Sequence, residues 1–236
     1  MPLPDRRRND TGERLVGAAA ALFADRGYAG TTIAEIERAV GLTPGSGGLY
    51  RHFSSKEELL LAAVLAYHER VKAVRRSLGV SLASVSLDTN QAAYSQLGVI
   101  IASLIDFLSG EQAMVRIGAE ARSLPIRVRH AIGAAWNEGY GIFEDLFCRG
   151  GVNDRCAKTM AIAALGSLSH YFDHISSWGH EPLDVAMEEY VEVWKLHWAN
   201  VLTRPQDADL SSRDRASRES SDPTSKMVLV ESEIPR

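Results

Sequence analysis

The sequence has few cysteines and no long uninterrupted run of apolar residues. Cys148 and Cys156 are the two cysteines among 236 residues, too few for a disulfide framework, which favours a reducing compartment. The first ten residues are polar and predict no signal peptide. The longest apolar stretch, 97–108, is interrupted by Ser103 and Asp106 and is too short to span a bilayer. We therefore expect a soluble, cytoplasmic protein without membrane contact.

An excess of positive charge is also missing. The formal net charge is −4, so the chain has no global basic field of the kind that many nucleic-acid-binding proteins have. The charge is nevertheless uneven, because eight basic and six acidic side chains precede residue 57. The first quarter is therefore slightly basic and the remainder acidic, which allows a local DNA-facing surface on an acidic body.

Strand patterns are hard to find along the chain. Apolar residues recur at helical spacing almost everywhere, and glycine, proline or serine interrupts them. This pattern predicts an all-α protein with about nine helices. The expected helices lie near 10–27, 32–40, 43–53, 54–78, 89–109, 111–123, 125–148, 154–177 and 183–202.

Capping signals support the first four of these helices. Asp10 with Glu13, and Ser54 with Glu57, each have the spacing of a capping box. Thr31 or Thr32 is expected to cap the second helix. Glycines 27 and 41 are expected to end the first and second helices. Thr43-Pro44 predicts a third helix, with proline at its first position.

The residues around the second and third helices form an ordered motif. It consists of Gly27-Tyr28, Thr31-Thr32-Ile33, Ile36, Ala39, Gly41-Leu42-Thr43, Gly45, Leu49-Tyr50, His52-Phe53, Lys56 and Leu59-Leu60. This motif closely resembles the DNA-binding region of the tetracycline-repressor (TetR) family. The resemblance implies a three-helix helix-turn-helix head over 10–56, a helical effector-binding and dimerisation domain over 57–202, and a homodimer. It also implies DNA contacts by Thr32, Thr43, Tyr50, His52 and Lys56.

One segment departs from the family pattern. Eight residues separate Gly41 from Tyr50, two more than the family usually has, and three of them are glycines that each cost about 1 kcal/mol inside a helix. Two interpretations stay open: a frayed recognition helix that DNA orders, or a lengthened turn. In either case the close backbone approach and the polar side chains add Pro44, Gly45, Ser46, Gly48 and Arg51 to the expected DNA-binding residues.

The two ends of the chain differ in composition from the rest. Residues 1–9 carry Arg6, Arg7 and Arg8, and are expected to form a flexible basic arm that either reaches DNA or is simply solvated. Residues 203–236 are rich in Ser, Asp and Arg and poor in apolar residues. Such a composition predicts a disordered tail.

The helical body offers candidates for an effector pocket. Aromatic and apolar side chains there could line a cavity or simply pack the core. The candidates are Phe107, Met114, Trp136, Tyr140, Tyr171, Phe172, His174 and Trp178. The last two helices also have broad apolar faces that fit a two-fold interface. These faces are Met160, Ala164, Leu165, Leu168 and Phe172 on one helix, and Met187, Val191, Trp194, Trp198 and Val201 on the other.

Other constellations are weaker. His170, His174 and His180 offer metal-ligand types without a second cluster, and a pocket or interface role is favoured over a metal. Cys148 and Cys156 are either a redox pair, with neighbouring arginines lowering the thiol pKa, or inert buried thiols. No phosphate-binding loop and no catalytic set is recognisable, so we expect neither an enzyme nor a cofactor.

Together these features predict a sequence-specific DNA-binding transcriptional regulator. We expect a repressor that binds double-stranded operator DNA as a homodimer and is relieved by a small, largely apolar effector. The alternative is a helical effector-sensing or interaction module whose DNA head has degenerated, which the glycine-rich insertion favours. A helical enzyme acting on small molecules is a further alternative that lacks a visible catalytic set.

Overall fold

The computed structural model describes the backbone of residues 4–203 and the side chains of residues 10–203. Within this part of the chain there are eight α-helices, three short 3-10 turns and no strands. The α-helices are α1 (Pro4–Gly30), α2 (Ile33–Ala39), α3 (Lys56–Leu82), α4 (Asn90–Gly110), α5 (Gln112–Ala119), α6 (Ile126–Arg149), α7 (Asp154–Trp178) and α8 (Met187–Leu202). The 3-10 turns are Leu49–Arg51, Ala121–Ser123 and Pro182–Asp184.

Side-chain caps explain where most of these helices begin. Thr32 forms a complete capping box with Glu35 at the start of α2. Thr89 caps α4 and Asn153 caps α7 through hydrogen bonds to backbone N–H groups. The expected box of Ser54 with Glu57 is wrong by one residue, because Ser55 is the residue that accepts a hydrogen bond from the Glu58 N–H.

The first helix begins earlier than its capping signal predicted. It starts at Pro4 rather than Asp10, so Asp10 lies within the helix and does not cap it. Gly27 has φ 72° and breaks the helical geometry near the end of α1, where the sequence placed the stop. The Thr31 hydroxyl donates to the carbonyl oxygens of Leu22 (3.1 Å) and Gly27 (2.9 Å), which satisfies this broken end.

The expected third helix is absent from the described residues. Residues 43–48 form turns and bends, and only Leu49–Arg51 has helical hydrogen bonding, of the 3-10 type. The prediction of an α-helix over 43–53 is therefore wrong, and the described residues contain eight α-helices against about nine expected. The segment forms a turn in the structure, and ordering of a recognition helix by DNA stays a prediction.

Two buried clusters organise the helices. The head cluster joins α1, α2 and the first half of α3, and it includes Leu15, Ile36 and Leu60. The body cluster joins the second half of α3 with α4, α6, α7 and α8, and Phe143 packs edge-on against Trp194 at its centre (5.7 Å between ring centroids). The 27-residue helix α3 thus belongs to both clusters, whereas the sequence placed a domain boundary at its first residues.

The apolar faces that were assigned to a dimer interface lie inside the chain. Ala164, Leu168, Trp194 and Trp198 are buried in the body cluster, and Met160, Leu165, Val191 and Val201 of the predicted faces pack against it. These side chains point inward because α7 and α8 must cover α4 and α6. The exposed apolar residues elsewhere on α7 and α8 include Ile162, Val193 and Leu196.

Helix α4 is longer and more apolar than the sequence stretch suggested. Its 21 residues, Asn90–Gly110, are long and apolar enough to cross a membrane by length and composition alone. The argument that this segment is too short is therefore wrong. Its buried residues Ala93, Leu97, Ile100 and Ile101 pack in the body cluster, and the helix lies against α8.

The terminal predictions fall largely outside the described residues. Residues 4–9 continue α1 as backbone helix, but the side chains of Arg6, Arg7 and Arg8 lie outside the description. The predicted tail lies outside it from residue 204 onward. The predicted DNA contact of the N-terminal arm and the predicted disorder of the C-terminal tail stay predictions.

Candidate nucleic-acid interface and effector cavity

A buried carboxylate lies beneath the turn between α2 and α3. Glu37 is 1% exposed, and its Oε2 accepts a hydrogen bond from the Gly45 N–H at 2.8 Å, while its Oε1 accepts one from the Leu49 N–H at 3.0 Å. The Leu49 and Gly45 N–H groups lower the pKa of Glu37, burial opposes them, and a hydrogen bond from the Gly48 backbone adds to the lowering. Glu37 is therefore an anion at neutral pH, held by backbone donors.

Glycine makes this turn possible. Gly41, Gly45 and Gly47 have φ values of 78°, 78° and 72°, a region that side-chain-bearing residues rarely adopt. A Cβ added at Gly48 would lie 3.1 Å from Leu42 Cδ1. Alternating left-handed residues cannot continue an α-helix, so the glycines that were expected to fray a recognition helix instead build a defined loop.

The loop changes what the start of a recognition helix would offer. The sequence suggested unpaired N–H groups there, directed at a DNA phosphate. In the structure the Gly45 and Leu49 N–H groups point inward to Glu37, so the anion that they bind is part of the protein. The expectation of free N–H groups at the start of this element is wrong for these two residues.

Most of the expected DNA-binding residues are at the surface. Thr43, Pro44, Gly45 and Ser46 are exposed on the loop, and Tyr50 and Arg51 are exposed on the 3-10 turn that follows. Thr32 is exposed as the cap of α2. Gly48 is half-buried, and so is His52, whose Nδ1 would lie 3.5 Å from a Cβ at Gly12 of α1. Their contacts with DNA stay predictions.

Lys56 has a structural role that sequence reasoning missed. Its ammonium donates to the carbonyl oxygens of Tyr28 (2.8 Å) and Thr31 (2.9 Å), and it lies 4.3 Å from the centroid of the Tyr28 ring. It therefore ties the start of α3 to the end of α1 through charge-assisted hydrogen bonds. No local signal marks this role, because Tyr28 and Thr31 lie 28 and 25 residues before Lys56. A phosphate contact by Lys56 stays a prediction.

The body encloses an apolar cavity of about 220 Å³. Residues from α3, α4, α5, α6 and α7 line it, and four of the eight predicted pocket residues are among them: Phe107, Met114, Trp136 and Phe172. Polar groups at its wall are few and come from Tyr67, Ser169 and Asp173. Such a lining suits a largely apolar ligand held in place by a few polar contacts.

The other four predicted residues do not line this cavity. Tyr171 packs between α7 and α8, stacked on Tyr190 (4.4 Å between centroids), and its hydroxyl donates to the Val185 carbonyl. Trp178 is 71% exposed at the end of α7, and His174 lies between Trp178 and His180. Tyr140 lies beside Trp136 but outside the lining. Helical periodicity places all four on the body without showing which side faces the cavity.

Sequence reasoning missed the contribution of α3 and α4 to the cavity. Val64, Tyr67, Val71 and Val74 of α3 line it, and Tyr67 stacks on Phe107 of α4 (5.7 Å between centroids). Burial raises the pKa of Tyr67, as does Glu111 to a smaller extent. These residues follow the helical apolar spacing, but that spacing marks a buried face without showing whether a cavity adjoins it.

Helix α5 connects the cavity to the head. Met114 and Ile117 line the cavity and are also buried members of the head cluster. The eight-residue helix packs against α1. These two residues therefore border the cavity and also pack under the helix-turn-helix region.

The cysteines do not have the environment that a redox pair requires. Burial raises the pKa of Cys148, and the carboxylates of Asp154, Glu144 and Asp145 raise it further. The expectation that Arg149 and Arg155 lower this thiol pKa is wrong for Cys148, because acidic side chains surround its sulfur. A raised pKa keeps the thiol protonated and slow to react.

The short helix α2, the loop, and the long helix α3 packed on α1 define a helix-turn-helix head, joined to an all-helical body with a cavity. Residues 15–63 match the family described as "Bacterial regulatory proteins, tetR family". The family match is therefore confined to the head. The predicted all-α fold, with an N-terminal head and a larger helical domain, is confirmed, apart from the missing third helix.

Similarity to curated relatives covers only part of the chain. The uncharacterized HTH-type transcriptional regulator YerO of Bacillus subtilis is 44% identical over 59 residues, which cover 25% of this chain and 20% of YerO. The HTH-type transcriptional repressor KstR2 of Mycobacterium tuberculosis is 48% identical over 46 residues, covering 20% of this chain and 22% of KstR2. The chain thus matches about a fifth of the length of these relatives.

Similarity of fold extends over the body. The transcriptional regulator FadR of Bacillus subtilis, solved in complex with stearoyl-CoA, matches with a TM-score of 0.54 and 16% identity. The match covers 81% of this chain and 97% of FadR. At this identity the similarity concerns the fold alone.

Proposed function

We propose that this protein is a sequence-specific DNA-binding transcriptional repressor. The observation that carries the proposal is the head: residues 15–63 match the tetR family, and the loop and 3-10 turn that carry most of the predicted DNA contacts are exposed. The slightly basic first quarter of the chain supports contact with phosphates. Binding of DNA places the protein in the cytoplasm.

We infer that a small, largely apolar effector occupies the cavity of the body. FadR, which has the same fold, was solved with stearoyl-CoA, and the cavity here has an apolar wall with few polar groups. A ligand that binds better when the head is released from DNA relieves repression, because affinity must differ between the two states. Met114 and Ile117 supply the contact between cavity and head.

We infer that the protein is a homodimer built on the outer faces of α7 and α8. Ile162, Val193 and Leu196 are exposed there, Val193 to 61%. Pairing these faces about a two-fold axis buries apolar surface on four helices. It also presents two heads to a palindromic operator.

A selection experiment on the protein tests this function. The protein is mixed with a random-sequence pool of duplex DNA, and the bound duplexes are recovered and sequenced. A mobility-shift titration at several salt concentrations then compares the affinity for a recovered duplex with the affinity for a scrambled one. The proposal expects a recurrent palindromic sequence whose affinity falls as salt rises. Failure to enrich any sequence would overturn it.

A second candidate follows from the missing third helix. A head without a recognition helix is also what an effector-sensing or interaction module with a degenerate DNA head would have. The two candidates separate in the same experiment. The module binds an apolar fluorescent dye in its cavity but enriches no duplex, whereas the repressor does both.

A further inference from the structure

The contact between Glu37 and the loop is unusual for a surface that meets DNA. A carboxylate close to phosphates opposes DNA binding, and a buried charge is costly unless it is hydrogen-bonded. Glu37 meets that requirement, because both of its oxygens accept backbone N–H groups at 2.8 Å and 3.0 Å. Its partners, Gly45 and Leu49, lie on either side of Ser46, Gly47 and Gly48.

We propose that Glu37 is a positioning residue for DNA reading, and that its buried carboxylate holds residues 43–49 as a preformed loop that enters the major groove in place of a recognition helix. The proposal rests on the proposed function, since it concerns how the head reads DNA. It assigns Glu37 no contact with DNA, because the side chain is buried.

The composition of the loop explains why it needs such an anchor. Glycine loses more backbone freedom on ordering than any other residue, and the segment contains Gly45, Gly47 and Gly48. A free loop would lose this freedom when it bound DNA, which would weaken binding. When Glu37 anchors the loop at Gly45 and Leu49, this backbone freedom is lost as the protein folds. DNA binding is then not weakened by ordering of the loop.

Further contacts within the loop agree with a single conformation. The Ser46 N–H and hydroxyl both donate to the Thr43 carbonyl, at 3.2 Å and 2.7 Å. The Tyr50 N–H donates to the Gly47 carbonyl at 3.1 Å. Ser46 is exposed between the two anchor points, and Thr43 and Pro44 are exposed just before the first of them. All three are available to base edges.

Two variants of Glu37 and one matched control test the proposal. Glu37→Gln keeps the shape of the side chain but leaves one oxygen to accept hydrogen bonds, and Glu37→Asp keeps the charge but shortens the reach. The control is Glu35→Gln on the same helix, which removes the same charge and keeps the capping box, because glutamine serves there as well as glutamate.

The first measurement compares the affinity for a duplex selected by the wild-type protein with the affinity for a scrambled duplex, at a temperature where all variants are folded by circular dichroism. We expect the ratio of the two affinities to fall about tenfold in both Glu37 variants, since the lost hydrogen bonds involve a charged group. Glu35→Gln should keep the ratio. If the only effect of Glu37 were to repel DNA, Glu37→Gln and Glu35→Gln would both bind the selected and the scrambled duplex more tightly. That result would overturn the proposal.

The second measurement is amide hydrogen exchange on the protein without DNA. We expect protection of the Gly45 and Leu49 amides in the wild type and in Glu35→Gln, and its loss in Glu37→Gln. Protection that arises only after DNA is added would overturn the proposal in favour of a loop ordered by DNA. If the wild type selects no duplex, the proposed function itself fails. If it selects one and the Glu37 variants read it normally, only the role of Glu37 fails.

Discussion

The guanidinium of Arg75 occupies the space that a side chain at Gly141 would take. It forms a bidentate ion pair with Asp145, in which Nε and Nη2 donate at 2.8 Å and 3.0 Å. Its Nη1 donates to Glu138 at 3.1 Å. Asp145 raises the pKa of Arg75 most, so the guanidinium stays charged. The absence of a side chain at residue 141 thus allows α3 and α6 to be joined by ion pairs.

Substitution of Gly141 by alanine should displace Arg75. Replacing a helical glycine by alanine normally stabilises a helix by about 0.5–1 kcal/mol, and Gly133→Ala on the same helix, where a Cβ meets nothing within 4 Å, should show this gain. Gly141→Ala should show less gain or a loss, because it costs the contacts of Arg75. Urea unfolding measures both free energies.

A double mutant separates the two contributions at Gly141. In an Arg75→Ala background, Gly141→Ala should stabilise the protein as much as Gly133→Ala does. Equal gains for both glycines in the wild-type background would show that Arg75 contributes nothing through this contact.

Removal of the Thr31 hydroxyl should destabilise the head. Thr31→Val keeps the shape of the side chain but leaves the Leu22 and Gly27 carbonyls without this buried donor, at a cost of about 1–2 kcal/mol. Thr159→Val is the control, because Thr159 is exposed and its hydroxyl donates to the carbonyl one turn earlier in α7. The melting temperature should fall clearly for Thr31→Val alone. Equal melting temperatures for the two variants would contradict this.

A bulky side chain at the cavity rim should block ligand entry. Ile105 of α4 is partly exposed and lines the cavity, whereas Val99 on the same helix is exposed and does not. Ile105→Trp should abolish saturable binding of an apolar fluorescent dye, and Val99→Trp should leave it unchanged. Both retain the buried face of α4, so circular dichroism spectra should match the wild type. Equal dye affinity in the two variants would show that the dye binds elsewhere.

A charge on the outer face of α8 should separate the proposed dimer. Across a two-fold axis, Val193→Glu places carboxylates from both copies in an apolar interface, which is strongly unfavourable. Val80→Glu, at a more exposed valine of α3 (77% against 61%), should leave the assembly intact. Sedimentation velocity should give half the wild-type mass for Val193→Glu. Dimers in both variants would place the interface elsewhere.

Acid should remove the stabilisation that Glu37 provides. The pKa of Glu37 in the folded head is lower than the ordinary value of 4.5, so its contribution is complete above 4.5 and is lost as pH falls through the lowered value. The difference in melting temperature between wild type and Glu37→Gln should be constant near neutral pH and shrink in acid. A constant difference at every pH would contradict this.

Local signals made much of the fold predictable. Thr32, one of the two residues expected to cap the second helix, forms a capping box with Glu35 three residues later, and such a signal needs no knowledge of tertiary structure. The role of Glu37 was not predictable in this way, because its partners lie eight and twelve residues away and are brought to it only by the left-handed glycines of the loop.

The cavity was predictable only in part, for a related reason. Apolar periodicity marks a face of a helix that avoids water, but it does not distinguish a residue packed against a neighbour from one beside a void. Tyr67 and Tyr171 illustrate this, since both are aromatic residues on helices and only Tyr67 borders the cavity. The exposure of Trp178 depends on where the chain turns after α7, which the sequence pattern does not reveal.

Met114 and Ile117 line the cavity and also belong to the head cluster, which affects how this protein can evolve. A substitution in α5 that adapts the cavity to a new ligand also alters the packing beneath α1. Under the proposed function, a substitution at either position would therefore change ligand preference and DNA affinity together. Lineages that change ligand are expected to vary first at the α4 side of the cavity, where Leu104 and Ile105 line it without belonging to the head cluster.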